Sequence, residues 1–244
     1  MRIRPVGAHA LLIECGGSAG LAASDLVEAW RAELWERRER GDLTALEIVP
    51  AASTVLLDGL PNPAATATLL SHWTPKVIDA ARTPTSPSHP VDLALSAPTE
   101  RLDRGISTTE SARSARGVGA EVVVEVVFDG PDLLVVAERW SLDVAGVLRR
   151  LTGTPFRVAF CGFAPGFPYL TGLPAELALP RLPTPRPRVP AGSVALAGPY
   201  AGIYPSASPG GWLLVGRTEL PLFDVDSDPP ARLSPGTRVR MVAA

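Results

Sequence analysis

The chain has 244 residues, 23 Lys+Arg against 25 Asp+Glu, and 46% hydrophobic residues. That is long enough for a sizeable core in one large domain or two small ones, and the balanced charge gives no electrostatic footprint for nucleic acid or an anionic membrane. Two cysteines, Cys15 and Cys161, offer neither a disulfide framework nor a CxxC spacing. His9, His72 and His89 form no HxH or HExxH pattern, so no bound metal is expected.

The N-terminus reads as MRIRPVGAHALLIE, without a long apolar stretch followed by a small-residue cleavage site, so no signal peptide is expected. His9–Glu14 reads as a short strand. Ser18–Arg40 reads as a helix whose Leu26, Val27, Trp30 and Leu34 share one face, stopped by Gly41. Leu46–Val49 and Thr54–Leu57 read as strands around a small-residue turn at Ala51–Ala52. Asn62–Trp73 reads as a second helix, capped by Asn62 with Pro63 in its first turn. Lys76–Asp79 looks like a closing strand. The order βαββαβ over residues 1–80 predicts a ferredoxin-like α+β domain.

Residues 81–117 change character. RTPTSPSHP cannot form a helix and STTESARSARG is poor in core residues, so this stretch reads as a linker or insertion, with a strand at Val91–Leu95. Residues 118–244 then read as a β-barrel domain. EVVVEVVF is β-branched and apolar on both faces. Ser141–Leu151 reads as a helix with Ser141 as its cap, Asp143 in its first turn, and Val144, Val147, Leu148 and Leu151 inward. Arg157–Phe160, Val194–Ala197, Trp212–Gly216 and Thr237–Val242 read as short strands. Val189–Gly216 lacks charge, but its four prolines and many glycines argue for β structure over a membrane span.

Three stretches carry the functional signal. CGFAPGFPYLTGLP, from Cys161 to Pro174, fits neither a helix nor a central strand. It reads as a rigid loop in which Phe163, Pro165, Gly166, Phe167 and Tyr169 line a groove, or pack their rings against the barrel. PRLPTPRPRVPAGS interleaves Arg181, Arg186 and Arg188 with prolines. An extended, pre-ordered chain suits arginine forks meeting a phosphate or carboxylate, although a solvated strand has the same composition. Ser193 is a further candidate contact. It makes a poor nucleophile because no histidine follows His89. In SPGGWLLVGRT, Gly210–Gly211 turn the chain, Trp212 starts a strand and Arg217 ends it, and Gly210, Gly211 and Trp212 are further groove candidates. Arg217 is the strongest single anion-binding candidate, with an ion pair to Asp224 or Asp226 as the competing reading. No P-loop occurs, and Cys161 reads as a structural thiol.

In that order, GFAPGFPYL, PR…PAGSVALAG and GIYPSASPGGWLLVGRT resemble the KipI-like, allophanate-hydrolase-subunit-1-like family, mostly assigned as the B subunit of 5-oxoprolinase. LSPGTRVRMV resembles the end of such chains and GAHALLIE their opening. The resemblance implies a cyclophilin-like barrel in the C-terminal half and a cytoplasmic, non-autonomous hydrolase subunit. It implies two partners, a homologous cyclophilin-like chain (the C-type subunit of 5-oxoprolinase, similar to allophanate hydrolase subunit 2) and a LamB/YcsF-like subunit. Together they would open the lactam of 5-oxo-L-proline to L-glutamate with ATP and Mg at the level of the complex. ATP would activate the poorly electrophilic lactam oxygen, which calls for anion contacts and a dry pocket. Arg188, Arg217, the glycine turns and Phe163/Phe167/Tyr169 are suitable parts. No general base stands out, so catalytic residues stay unassigned. Carboxyltransferase components of urea carboxylase and a protein inhibitor of a histidine kinase belong to the same resemblance and remain alternatives. No biotin-acceptor MKM occurs. Two departures stand out: Phe128-Asp129-Gly130 replaces a cysteine-tyrosine-glycine-glycine turn, and Leu151 replaces a histidine.

Overall fold

A computed structural model describes residues 1–16, 20–83 and 121–244. Strands β1 (Arg2–Val6) and β2 (Ala10–Glu14) form a hairpin. After helix α1 (Ala23–Glu39) come β3 (Glu47–Pro50), β4 (Thr54–Asp58) and helix α2 (Pro63–Arg82). The four strands pair antiparallel in the order β1-β2-β4-β3. The apolar face of α1, with Leu26, Val27, Trp30 and Leu34, packs with Leu70, Trp73 and Val77 of α2 and with Leu11, Ile13, Val55 and Leu57 of the sheet. Asn62 caps α2 as expected, accepting from the Ala65 N–H at 3.0 Å.

The expected closing strand at Lys76–Asp79 is instead the continuation of α2, which runs through Pro75 to Arg82. An interior proline costs about 3 kcal/mol in a helix. Here Val77, 1% exposed, extends the stripe of Leu70 and Trp73 into the core, and that burial keeps the helix going. Among the described residues of this half the order is therefore ββαββα, with no strand at Lys76–Asp79 to complete a ferredoxin-like βαββαβ unit. The fourth strand comes from the front of the chain as β1, whose mostly exposed RIRPV has no core-facing pattern to betray it. Helix α1 starts at Ala23 rather than at Ser18, and residues 17–19 lie outside the described residues. So do residues 84–120, including the expected strand at Val91–Leu95 and most of the expected linker.

The second half contains β5 (Glu121–Val126), α3 (Leu133–Trp140), α4 (Val144–Gly153), β6 (Phe156–Cys161), β7 (Pro168–Thr171), β8 (Arg186–Val189), β9 (Ser193–Ala197), β10 (Tyr200–Ile203), β11 (Ser208–Gly210), β12 (Leu213–Arg217) and β13 (Arg238–Ala243). Seven strands form one sheet in the order β12-β9-β10-β7-β6-β13-β5, antiparallel except for the parallel pair β13·β5. Its two ends meet at Val127 and Arg217, which exchange N–H···O bonds of 2.9 Å, so the sheet is a nearly closed barrel. Val124, Val126, Phe156, Val158, Leu170, Val194, Leu196, Ala201, Ile203, Val215, Val239 and Met241 form its core together with Val136, Trp140, Val147 and Leu151 of α3 and α4. The charge-free segment 189–216 runs from the last residue of β8 through β9, β10 and β11 into β12, and among the described residues no helix is long and apolar enough to cross a membrane.

Two further expectations are corrected. Ser141 does not cap the helix that contains Leu151. It ends α3 in a left-handed conformation, φ 54°, and Asp143 caps α4 by accepting from the Gly146 N–H at 2.6 Å. Both residues are capping types. Only the presence of α3, which leads straight into Ser141, decides between them. The second correction concerns CGFAPGFPYLTGLP, whose second half is a central strand. β7 lies between β6 and β10, and Pro168 is tolerated as its first residue. Residues 162–167 form the loop of this β6–β7 hairpin.

Candidate functional site

The alternation of strand side chains, shifted on β6 by the irregular register between Val158 and Phe160, puts a second set of residues on the outer face of the barrel. There an aromatic layer assembles. Phe160 on β6 stacks on Tyr169 of β7, with ring centroids 4.3 Å apart and planes 18° from parallel. Tyr200 of β10 meets both edge-on at 5.6 Å. Phe167 reaches Tyr169 at 5.1 Å, Tyr204 at 5.0 Å and Trp212 at 5.4 Å. Such edge-to-face geometries suit ring quadrupoles and hold the rings in place. Gly202 makes room for them, since a Cβ there would stand 2.8 Å from the Trp212 ring.

The predicted groove residues Phe167, Tyr169 and Trp212 are thus brought together, but as packing more than as an open wall. Phe167 is 1% exposed and Trp212 5%. Gly166 turns at φ +77° with Phe223 and the Leu222 carbonyl where a side chain would be. Gly210 abuts the Tyr204 hydroxyl and Gly211 is buried. Gly166 and Gly210 serve close approach within the chain. Phe163 differs. Its φ is 69°, a left-handed conformation that non-glycine residues seldom adopt, and its ring is 63% exposed while leaning edge-on against Phe167 and Tyr204. Pro165 beside it is also exposed. Tyr200 and Tyr204 belong to the layer without having stood out in the sequence. Tyr204 sits inside GIYPSASPGG, where the stronger signal comes from prolines and glycines.

The predicted anion contacts separate. Arg186 turns inward and places Nη2 2.7 and 2.8 Å from the two oxygens of Asp132. Asp132 is nearly buried and also accepts the Leu214 N–H at 2.7 Å. Arg217 pairs with Asp129 at 3.0 Å, with Glu219 at 3.9 Å, and not with Asp224 or Asp226. Arg188 is exposed on β8, and it makes no ion pair among the described residues. Ser193 is buried at the start of β9 opposite Arg217. His9 and His72 belong to the first half of the chain and His89 lies outside the described residues, so no triad forms around Ser193 among them. Burial raises the Cys161 thiol to about 11, and its Sγ donates to the Leu233 carbonyl at 3.2 Å, in keeping with a structural thiol. Tyr204 is raised chiefly by burial and by Tyr169, partly offset by Arg181, the Trp212 backbone and Arg186. Among the described residues no group of three His, Cys, Asp or Glu could hold a metal. Leu151, at the position where the resemblance calls for a histidine, is fully buried in the barrel core.

Residues 1–233 match the family described as carboxyltransferase domain, subdomain C and D. The chain belongs to this family. Among curated proteins it is 45% identical over 154 residues to the 5-oxoprolinase B subunit of Escherichia coli O157:H7, covering 63% of this chain and 70% of that one. It is 45% identical over 113 residues to the 5-oxoprolinase B subunit of Bacillus subtilis strain 168, covering 46% and 47%. The second alignment thus spans about half of that relative. Among solved structures, TTHA0988 superposes with TM-score 0.63 at 29% identity, over 97% of this chain and 40% of that chain. Kluyveromyces lactis urea carboxylase shares the fold at TM-score 0.54 and 18% identity, over 99% and 21%.

Proposed function

We propose that this family member is the B-type subunit of an ATP-dependent 5-oxoprolinase, silent alone and active with two partners. One is a homologous barrel subunit of the C type and the other is LamB/YcsF-like. The observation that carries the reading is the 39–45% identity to three proteins named as the B subunit of 5-oxoprolinase. In this reading the nearly closed seven-stranded sheet corresponds to the cyclophilin-like barrel, and the chain works in the cytoplasm.

The geometry agrees with a subunit that supplies surface more than chemistry. Arg186 and Arg217 are already paired with carboxylates, which makes them poor cradles for ATP phosphates. Arg188 remains available on β8. Among the described residues no acid–base pair assembles on the aromatic layer, and in this reading the partners supply the base and the nucleotide site. Phe163, the exposed ring at the edge of that layer, is the contact offered to them. ATP with Mg would supply activation of the lactam oxygen. This chain would shield that oxygen from water.

The test is to co-express the chain with its barrel partner and the LamB/YcsF-like subunit, and to measure glutamate from 5-oxo-L-proline with and without ATP. ATP-dependent glutamate that disappears when this chain is omitted supports the reading. A stable complex without turnover overturns it in favour of a binding protein or a carboxyltransferase component.

A further inference from the structure

A cleft of about 250 Å³ opens between α1 and strands β6, β7 and β10. Ser24, Asp25 and Glu28 of α1 line one side, and Arg157, Phe160 and Tyr200 the other. Its charges do not cancel in pairs. Arg31, nearly buried, gives Nε and Nη2 to the two oxygens of Glu28 at 2.8 and 2.7 Å, so that carboxylate is already matched by one guanidinium. The Nη1 of Arg157 adds a third contact, 2.8 Å from the same Oε1. One carboxylate between two guanidiniums leaves a positive charge over, and it falls on Arg157, the more exposed of the two at 37% against 7%. Asp25, one helical turn before Glu28, lines the same cleft and has no ion pair among the described residues. The cleft thus offers a guanidinium able to accept another anion, a carboxylate able to accept an N–H, and two aromatic rings, Phe160 and Tyr200, 5.6 Å apart.

We propose that this cleft binds a small carboxylic acid carrying an N–H next to its carboxylate, with the carboxylate on Arg157, the N–H toward Asp25 and the apolar body against Phe160 and Tyr200. A guanidinium and a carboxylate are each strongly hydrated in water. Meeting their counterparts in a half-enclosed cleft gives charge-assisted hydrogen bonds at lower dielectric. The site is separate from the exposed Phe163 contact. Only the choice of 5-oxo-L-proline as first probe rests on the function proposed above.

The experiment is calorimetric titration of the full chain with 5-oxo-L-proline, with pyrrolidin-2-one as the control that lacks the carboxylate. Saturable binding of the acid, absent for pyrrolidin-2-one, is the expected result. Arg157→Gln should weaken it on the order of tenfold or more, with an unchanged far-UV circular dichroism spectrum. Because Arg157 also ties α1 to the barrel, Ala52→Leu serves as a second variant. It adds bulk to the cleft from the exposed β3–β4 turn and leaves Glu28, Arg31 and Arg157 unsubstituted. No saturable binding to the wild type, or equal binding in both variants, overturns the inference. In the assembled complex, turnover with unchanged kcat/KM in both variants would overturn the cleft and leave the proposed function standing. Binding to this chain with no turnover by the complex would do the reverse.

Discussion

The pair Asp132–Arg186 gives the sharpest test of the reading that Arg186 holds the fold together rather than a ligand. Asp132 side-chain exposure is 9% and that of Arg186 is 27%. Asp132→Ala would leave the guanidinium and the Leu214 N–H without their acceptor, and Arg186→Ala would leave a nearly buried carboxylate. Breaking a buried pair costs about 3–5 kcal/mol, and the partial exposure of Arg186 lets water relieve some of this, so each single change should cost about 3 kcal/mol. For a domain of this size that lowers Tm by roughly 6–12 °C. The double variant removes both charges and should cost about 4 kcal/mol rather than the additive sum of about 6 kcal/mol, a coupling of about 2 kcal/mol. Urea denaturation of the four proteins, fitted with a shared m-value, measures it. A coupling below about 0.5 kcal/mol would refute the argument, because independent sites add within that margin.

Four other outcomes follow from the same structure. Leu151→Ala, at a fully buried position under the barrel, should cost about 2–5 kcal/mol by denaturation. Burial raises the Cys15 thiol from 9.0 to about 11. The folded state holds this proton more tightly than the unfolded state does, so the contribution is complete below pH 9 and disappears as pH rises toward 11. Denaturation at stepped pH should show a loss of about 2–3 kcal/mol that Cys15→Ala removes. Glu33 goes the other way: against the upward push of burial, Lys76 and Arg37 hold its carboxyl below the usual range. Its contribution is present above pH 4.5 and fades as pH falls through the lowered value, so Glu33→Gln should flatten the acid limb of the stability curve. Phe163→Ala should leave Tm nearly unchanged, since the ring is mostly exposed, yet weaken assembly with the barrel partner in size-exclusion chromatography.

Local signals placed most of the elements correctly. The Asn62-Pro63 start of α2, the amphipathic face of α1 and the β-branched run of β5 were readable because capping and periodicity act over one or two turns of chain. Three ordered Gly/Pro/aromatic stretches were enough to point to the family. What misled was also local. Lys76–Asp79 reads as a strand after a helix over Asn62–Trp73, the glycines and prolines of Cys161–Pro174 hide β7, and Ser141 resembles a cap. In each case the deciding partner lies outside the local stretch: the shared core of α1 and α2, the flanking strands β6 and β10, the preceding α3.

The candidate site divides the same way. Sequence alone determined which residue types gather here, namely the rings and arginines set in a turn-rich segment, and with them the family. Only the tertiary structure decided that Phe167, Tyr169 and Trp212 are packing while Phe163 is mostly exposed, and that Arg186 and Arg217 are paired while Arg188 has no ion pair among the described residues. The reason is physical. An arginine's role depends on whether a carboxylate lies within hydrogen-bonding reach, and Asp132 precedes Arg186 by 54 residues and Asp129 precedes Arg217 by 88. Separations of that size carry no periodic signal along the chain, and only the folding of the barrel closes them.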